Sequence, residues 1–400
     1  MDKPACAAAR GIVRKARPVN RAAGQGGLAP SSNHHGRLCS HFVNWRGLDT
    51  RQRLFRTHPM ARIALAFILP LFLAACSDWG APSETPAGPD EPAAVTWNTR
   101  SSEPPLVIAH RGASGERPEH TEAAYALALE QGADVLEPDL QMSADGQLIV
   151  RHDPYLSTST DVANRPEFAD RLTERNGRSD WWVMDFTAAE LRTLTARQVF
   201  EDRDQGYNDQ YPVLSFEDFL DFVSEQAILC GCTIPIEPEV KLPGLYAEAG
   251  LDPLPALINA LEARDLNADG APVVIQSFDP DFLQRLRPET PLPLAMLYAG
   301  PDEADYDAGG LTLEQIAEFA DGVGAYKAVL INADGSSTGY LERAHALGLD
   351  IHVWTVRDDR TPITGETVED ELRALYALGV DAVFTDHPAT AVRVRAAMAE

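Results

Sequence analysis

Four short apolar segments of the sequence end in residues that can carry out acid–base or metal chemistry. These segments lead into His110-Arg111, Glu137-Pro138-Asp139, His152-Asp153 and Glu237-Pro238-Glu239-Val240-Lys241. Taken singly, a histidine or a carboxylate after an apolar run is more often structural than functional. Four endings of complementary type in one chain instead predict a shared site, because barrel enzymes keep their catalytic residues at the carboxyl ends of parallel strands.

Three of these carboxylates form a predicted metal site. Glu137 and Asp139 are two residues apart, so both side chains point to the same face of a strand. Together with Glu239 they offer only oxygen ligands, which suit a hard divalent cation, Ca²⁺ or Mg²⁺. Three carboxylates this close would repel one another if no cation were bound.

The elements that position these residues alternate between short apolar runs and helical patterns. The apolar runs of strand type include Leu106–Ala109, Val135–Leu140, Leu148–Val150, Thr233–Val240, Pro272–Gln276, Leu294–Leu297, Val329–Ile331, Asp350–Val356 and Ala382–Phe384. Apolar strands that alternate with helices indicate a parallel sheet buried on both faces. About eight such units in residues 106–400 predict an α/β fold, the TIM (β/α)₈ barrel. The polar stretch at about 161–212 interrupts the rhythm and is predicted to be an insertion over the active-site face.

The charge distribution limits the partners of the predicted domain. Residues 1–75 hold twelve of the 34 Lys/Arg and two of the 60 Asp/Glu, which leaves a formal charge of −36 on the rest. So acidic a body repels nucleic acid and anionic membrane surfaces. We therefore expect a small-molecule substrate and no nucleic acid, while the oligomeric state stays open.

The N-terminal region has the pattern of a targeting segment. The apolar run 63–75 follows Arg62, and it is too short to span a bilayer but suits a signal peptide. It ends in Leu73-Ala74-Ala75-Cys76, which resembles the lipidation site of bacterial lipoproteins. We expect 1–59 to be a non-native leader from an over-extended start, 60–75 to be the signal peptide and Cys76 to carry the lipid.

Residues 76–105 are rich in Pro, Ala, Ser, Glu and Gly and are predicted to form a flexible tether. The domain would then lie on the periplasmic side of the cell envelope and touch a membrane only through its lipid anchor. Ser77 after the lipidated cysteine favours the outer membrane. Two further cysteines, Cys230 and Cys232, could form a tight disulfide or be two small core thiols, and the spacing leaves both alternatives open.

Several of these segments together resemble the glycerophosphodiester phosphodiesterase family, in its longer periplasmic branch. The resemblance is carried by His110-Arg-Gly-Ala-Ser-Gly, Pro118-Glu-His-Thr121, Glu137-x-Asp139, His152-Asp153, Pro238-Glu-Val-Lys241, Gln276-Ser-Phe278, Val353-Trp-Thr-Val356 and Gly379-Val-Asp-Ala-Val-Phe-Thr-Asp386. These motifs cover nearly everything from Leu106 to the C-terminus, in the family's order. His120 departs from the Asn that is commonest there.

The resemblance implies roles for the residues of the site. A metal would be held by Glu137, Asp139 and Glu239, with Glu119 a weaker candidate, and His110 and His152 would be the acid/base pair. Arg111 and Lys241 would offset the phosphoryl charge, and Phe278 and Trp354 would form an apolar wall for glycerol. The implied products are sn-glycerol 3-phosphate and an alcohol.

Two other functions are compatible with the same fold. One is a phosphodiesterase that removes phospholipid head groups, as sphingomyelinase-D-type enzymes do. The other is a lipoprotein that binds ligands without catalysis. Both histidines and all three carboxylates are present, and a role in binding alone would not require them.

Overall fold

The computed structural model describes residues 96–175, 177–301 and 308–400. The predicted leader, the signal peptide, Cys76 and the tether up to residue 95 lie outside the described residues. None of the described helices is both long and apolar enough to cross a membrane.

Strands and helices alternate along most of the described chain, as the sequence predicts. The strands are β1 Leu106–His110, β2 Val135–Glu137, β3 Asp139–Met142, β4 Leu148–Val150, β5 Thr173–Arg175, β6 Arg178–Asp180, β7 Glu239–Val240, β8 Ile275–Ser277, β9 Leu294–Tyr298, β10 Gly322–Tyr326, β11 Asp350–Val356 and β12 Ala382–Thr385. The helices are α1 Glu122–Glu130, α2 Ala188–Leu191, α3 Phe216–Cys230, α4 Pro243–Glu248, α5 Pro253–Glu262, α6 Pro280–Leu286, α7 Leu313–Ile316, α8 Lys327–Leu330, α9 Tyr340–Ala346, α10 Val368–Leu378 and α11 Pro388–Met398.

The parallel strands close into a barrel of eight strand positions, here called staves, of which β2 and β3 together fill one. Neighbouring strands pair in the order β2-β1-β12-β11-β10-β9-β8-β7-β3. β2 and β3 are one stave, interrupted only at Pro138, which has no N–H to donate. Leu136 of β2 bridges to Ile236, just ahead of β7, and this bridge closes the ring. The α/β barrel that the sequence predicts is therefore confirmed.

One predicted strand is wrong. We predicted a strand at Val329–Ile331, but Lys327–Leu330 form helix α8, and the stave is β10, Gly322–Tyr326. The sequence of β10 lacks the apolar pattern of a strand, because two of its five residues are glycines. A Cβ on Gly324 would lie 2.3 Å from Cδ2 of Leu297, so a larger residue there would require the Leu297 side chain to move.

The predicted insertion is present between β4 and α3. It includes the ribbon β5–β6, and it has a small apolar core of its own around Phe168, Phe186 and Leu191. Gln198 from this segment donates to the carbonyl of Ser114, in the loop that follows β1. The insertion therefore covers the face at which the carboxyl ends of the strands lie.

The described end of the predicted tether packs on the barrel. Trp97 is buried and meets Tyr376 edge to face at 6.4 Å, and Asn98 donates to the carbonyl of Ala377. Arg100 forms an ion pair with Asp350, the first residue of β11. The domain therefore includes residues ahead of Leu106, and they attach at the amino ends of the strands.

The two cysteines of the domain are joined. Cys230, the last residue of α3, forms a disulfide with Cys232, and Gly231 between them has a positive φ of 63°. Cys230 is exposed and Cys232 is half-buried. Of the two alternatives that the sequence left open, the structure shows the disulfide.

Candidate active site

The three predicted metal ligands converge at the barrel mouth. Glu137 ends β2 and Asp139 begins β3, with Pro138 between them. Because they are two residues apart in one extended segment, both carboxylates lie on the same face. Asp139 is in register with Glu239, the first residue of β7, and this pairing brings the third carboxylate alongside. One oxygen atom of each residue lies within 4.8 Å of the others, and all three side chains are buried.

Burial and mutual repulsion make this cluster costly without a cation. Burial and the charge of Asp139 raise the pKa of Glu137 well above its usual range. Burial also raises the pKa of Glu239, to about 8. Burial works in the same direction on Asp139, but Lys241 and Arg111 outweigh it and hold its pKa well below the usual range. The negative charge of the cluster is thus incompletely balanced.

Two basic side chains lie against the carboxylates. Lys241 Nζ is 2.7 Å from Glu239 Oε1 and 3.3 Å from Asp139 Oδ1, and Arg111 Nε is 3.0 Å from Asp139 Oδ2. Arg111 also donates to Glu119 at 2.8 Å. Four carboxylates therefore face two cations, which leaves a charge that one divalent ion would balance.

The oxygen atoms themselves also fit a metal. Asp139 Oδ1 and Glu239 Oε1 are buried, and neither accepts a hydrogen bond of good geometry from the described residues. Buried oxygens without such partners are rare unless water or an ion completes them. With Glu137 they form a set of hard ligands suited to Ca²⁺ or Mg²⁺.

The two histidines lie beside the carboxylates, each oriented by an aspartate. His110 ends β1, in register with Glu137, and its Nδ1 lies 2.7 Å from Asp386 Oδ1. His152 follows β4, and its Nδ1 lies 2.7 Å from Asp153 Oδ1. Because each Nδ1 is engaged by a carboxylate, Nε2 is the nitrogen left to exchange protons with a substrate.

Both imidazoles favour their neutral form. Burial and the positive charge of Arg111 lower the pKa of His110 to about 3. The same two causes, joined by Lys241, lower the pKa of His152 to about 4. The side chain of His110 is 12% exposed and that of His152 is 37% exposed, so His152 is the more open to solvent. Neutral imidazoles beside bound cations can act as general bases.

The other predicted site residues are close by. Phe278 and Trp354 pack edge to face with ring centroids 5.7 Å apart, and Lys241 Nζ lies 5.9 Å from the centre of the Phe278 ring. They form an apolar surface beside Lys241. Glu119 is held by Arg111 rather than turned toward the three carboxylates, so it balances charge beside the metal site.

Some supporting residues were not predicted from the sequence. His120 Nε2 lies 2.9 Å from Asp139 Oδ2, and Tyr125 holds the other nitrogen. The carboxylate of Asp386 is hydrogen-bonded to His110, Arg203 and Arg357. Asp386 ends the motif that begins at Gly379 and follows the apolar run Ala382–Phe384 by one residue. That position after a strand is the sequence signal that points to it. Arg203 carried no such signal.

Comparison with known proteins agrees with this geometry. The family model described as the glycerophosphoryl diester phosphodiesterase family matches residues 110–390. The chain is 31% identical over 335 residues to a glycerophosphodiester phosphodiesterase of Haemophilus influenzae, which covers 74% of this chain and 91% of that protein. It is 29% identical over 333 residues to one of Treponema pallidum, with 72% and 91% covered.

Solved structures share the barrel. A Silicibacter pomeroyi protein named for the same diesterase activity superimposes with a TM-score of 0.59 at 25% identity, covering 74% of this chain and 95% of that one. A phosphodiesterase of Oleispira antarctica, solved in complex with the product sn-glycerol-3-phosphate, gives a TM-score of 0.53 at 22% identity, with 74% and 98% covered. The second likeness shows the fold alone.

Proposed function

The chain belongs to the glycerophosphoryl diester phosphodiesterase family and is a glycerophosphodiester phosphodiesterase, and from this premise we propose how it works. It hydrolyses glycerophosphodiesters to sn-glycerol 3-phosphate and an alcohol with a bound divalent metal and two histidines. The observation that carries the proposal is the meeting of His110, His152 and the three buried carboxylates at one end of the barrel.

The metal would be held by Glu137, Asp139 and Glu239. A divalent ion bound there would supply positive charge beside the phosphodiester and help to lower the pKa of the attacking hydroxyl. We propose Ca²⁺ as the native ion, because an all-oxygen set is its usual environment, and Mg²⁺ is the alternative.

The protein residues divide the proton transfers between them. One imidazole removes a proton from the attacking hydroxyl, which belongs to water or to the glycerol C2 position. The other delivers a proton to the oxygen of the departing alcohol, and each transfer contributes about 10²–10⁴-fold. Asp386 and Asp153 keep His110 and His152 in the orientation that presents Nε2.

Arg111 and Lys241 bind the phosphoryl group. Both already lie against carboxylates, and a bound metal would free part of their charge for the substrate. Their donors would meet the oxygens on which negative charge grows in the transition state. Phe278 and Trp354 would exclude water beside the glycerol carbons.

Product analysis tests the proposed reaction. The protein is incubated with glycerophosphocholine, glycerophosphoethanolamine and glycerophosphoglycerol, with and without EDTA, and the products are identified by ³¹P NMR. We expect sn-glycerol 3-phosphate from each, and loss of activity in EDTA that added Ca²⁺ restores. Full activity in excess EDTA would disprove the metal site. Release of the phosphorylated alcohol instead would disprove the assigned reaction.

We also propose that the enzyme is lipid-anchored through Cys76 on the periplasmic side of the outer membrane. This proposal depends on the segment Leu73-Ala74-Ala75-Cys76 and on the acidic composition of the rest of the chain. The anchor would be the only contact with the membrane.

A further inference from the structure

An aromatic groove of about 740 Å³ opens beside Trp354. It lies at the carboxyl ends of β9, β10 and β11, on the same face of the barrel as the histidines and the carboxylates. Binding pockets for small molecules commonly have volumes of about 300–1,000 Å³. The lining residues that matter here are Tyr298, Tyr326, Ala328, Val329, Tyr340 and Trp354.

A row of side chains connects this groove with the catalytic centre. Lys241 Nζ lies 5.9 Å from the centre of the Phe278 ring, whose centroid is 5.7 Å from that of Trp354. Trp354 is in turn 5.1 Å from Tyr326, inside the groove. Its indole N–H donates to the carbonyl of Gly324 at 2.7 Å, which fixes the ring between the two spaces. The groove therefore begins where the proposed wall for glycerol ends.

The lining favours hydrocarbon over a charged group. Aromatic and aliphatic side chains make up most of it, and Tyr298 and Tyr340 stack at 5.6 Å along one side. The charged residue among its described lining residues is Arg343, a cation, and no carboxylate is among them. Among the described lining residues a cationic head group would therefore find no counter-charge, whereas an apolar chain would be desolvated on contact.

We propose that this groove receives the hydrocarbon chain of a monoacyl glycerophosphodiester, so that the enzyme also accepts lysophospholipids. The inference rests on the proposed function, because it uses the same catalytic centre. The chain, attached to the glycerol, would pass Trp354 and lie between Tyr326 and Tyr340. Water breaks the bond between phosphorus and the alcohol oxygen. Phosphorus gains the hydroxyl, the alcohol gains the proton, and the lipid product is monoacylglycerol 3-phosphate.

Chain-length dependence tests the proposal. kcat/KM is measured for glycerophosphoethanolamine and for its hexanoyl, octanoyl and decanoyl monoesters, all below their micellar concentrations. We expect kcat/KM to rise by about two- to fourfold for each methylene that the groove buries, until the groove is filled. A flat series, or hydrolysis of the unacylated substrate alone, would overturn the inference while leaving the proposed function intact.

A groove-filling variant assigns the effect to this surface. Ala328 is exposed on helix α8, so Ala328→Trp would occupy the groove without disturbing the core. We expect it to abolish the chain-length dependence and leave hydrolysis of glycerophosphoethanolamine unchanged. Ala268→Trp is the matched control, because Ala268 is an exposed residue ahead of β8, at the opposite end of the barrel. Unchanged chain-length dependence in Ala328→Trp would contradict the assignment.

A binding measurement separates this inference from the proposed reaction. Calorimetry on the double variant His110→Ala/His152→Ala compares the decanoyl ester with glycerophosphoethanolamine. We expect tighter binding of the ester, which Ala328→Trp added to the double variant removes. If the wild type hydrolyses neither substrate, the proposed function fails, and equal binding of the two compounds would independently overturn the groove proposal.

Discussion

Two aspartates determine how His110 and His152, the proposed acid/base pair, are oriented. Asp386 and Asp153 each engage Nδ1 of one imidazole at 2.7 Å. Burial and the positive charge of Arg111 lower the pKa of both rings, so both favour the neutral form before substrate binds. One histidine must therefore be protonated during the cycle before it can donate to the departing alcohol.

The pH dependence follows from these lowered pKa values. At saturating Ca²⁺, we expect the acid limb of the kcat/KM profile, where the histidine that acts as the base becomes protonated, to lie below about pH 5. kcat/KM reports ionisations of the free enzyme, so a pH series on glycerophosphocholine is the measurement. An acid limb at or above the ordinary histidine value of 6.5 would contradict the buried, cation-flanked environment.

Removing either histidine tests the acid/base pair. His110→Ala and His152→Ala should each lower kcat by at least about 10²-fold, and the double variant should lose less than the product of the two effects. His345→Ala, far from the site in an ion pair with Asp381, is the control and should retain kcat. A p-nitrophenyl ester needs less help in leaving, so the histidine whose loss matters less for it is the acid. Loss of affinity alone in both single variants would make them phosphate ligands.

Metal binding can be tested without measuring activity. Glu239→Gln removes one negative charge from the cluster, so we expect Ca²⁺ affinity to fall by at least about tenfold in a calorimetric titration. Glu217→Gln, a change at an exposed position on α3, is the control and should bind as the wild type does. Equal Ca²⁺ binding by Glu239→Gln and the wild type would place the ion elsewhere.

At the scale of elements, the insertion takes part in building the active site. Arg203 is almost fully buried and reaches Asp386 Oδ2 at 2.6 Å and Asp359 Oδ2 at 2.6 Å. It also donates to the carbonyl of Ser114, as Gln198 does. Through Asp386, this segment helps to hold His110 in place.

Arg203→Met tests this connection. We expect kcat to fall by about tenfold or more with little change in KM, because His110 loses its fixed position. The free energy of unfolding should fall by about 3–5 kcal/mol, since the buried carboxylate of Asp386 loses a buried cationic partner. Arg360→Met, which removes a more exposed partner of Asp359 and Asp202, is the control and should keep kcat. A variant that loses stability but keeps kcat would limit Arg203 to a structural role.

For the whole molecule, the first described residues and the active site lie at opposite ends of the barrel. The described chain enters through Trp97 and Arg100, at the amino ends of the strands. The histidines and the metal ligands stand at the carboxyl ends. A tether ahead of Thr96 would thus leave the site facing away from the membrane, and the charge of −36 from Cys76 onward adds repulsion from anionic lipid.

The anchor itself can be tested by one substitution. Cys76→Ser should release the enzyme as a soluble periplasmic protein with unchanged kcat, because the lipid and the catalytic residues are independent. Cell fractionation and mass spectrometry of the N-terminus measure this, and Cys39→Ser, in the predicted leader, is the control. A wild-type chain that begins at Met1 and carries no lipid would refute the proposed localisation.

The sequence by itself specified the polar residues that follow the barrel strands and therefore the proposed chemistry. His110, Glu137, Asp139, His152 and Glu239 could be predicted because polar residues directly after apolar runs are a local pattern. The same alternation of runs and helices specified a barrel. The local pattern failed at β10, where Gly324 packs closely against Leu297 and two glycines remove the apolar signal.

Only the tertiary structure decided which residues support that chemistry. Asp386 lies 276 residues from His110, and Arg203 lies 183 residues from Asp386, so neither partner follows from spacing. The aromatic groove likewise combines side chains from three staves and the helices beside them. Such contacts depend on closure of the barrel and on how the insertion folds back over its mouth. The periodic spacing of apolar residues in the sequence specifies neither of them.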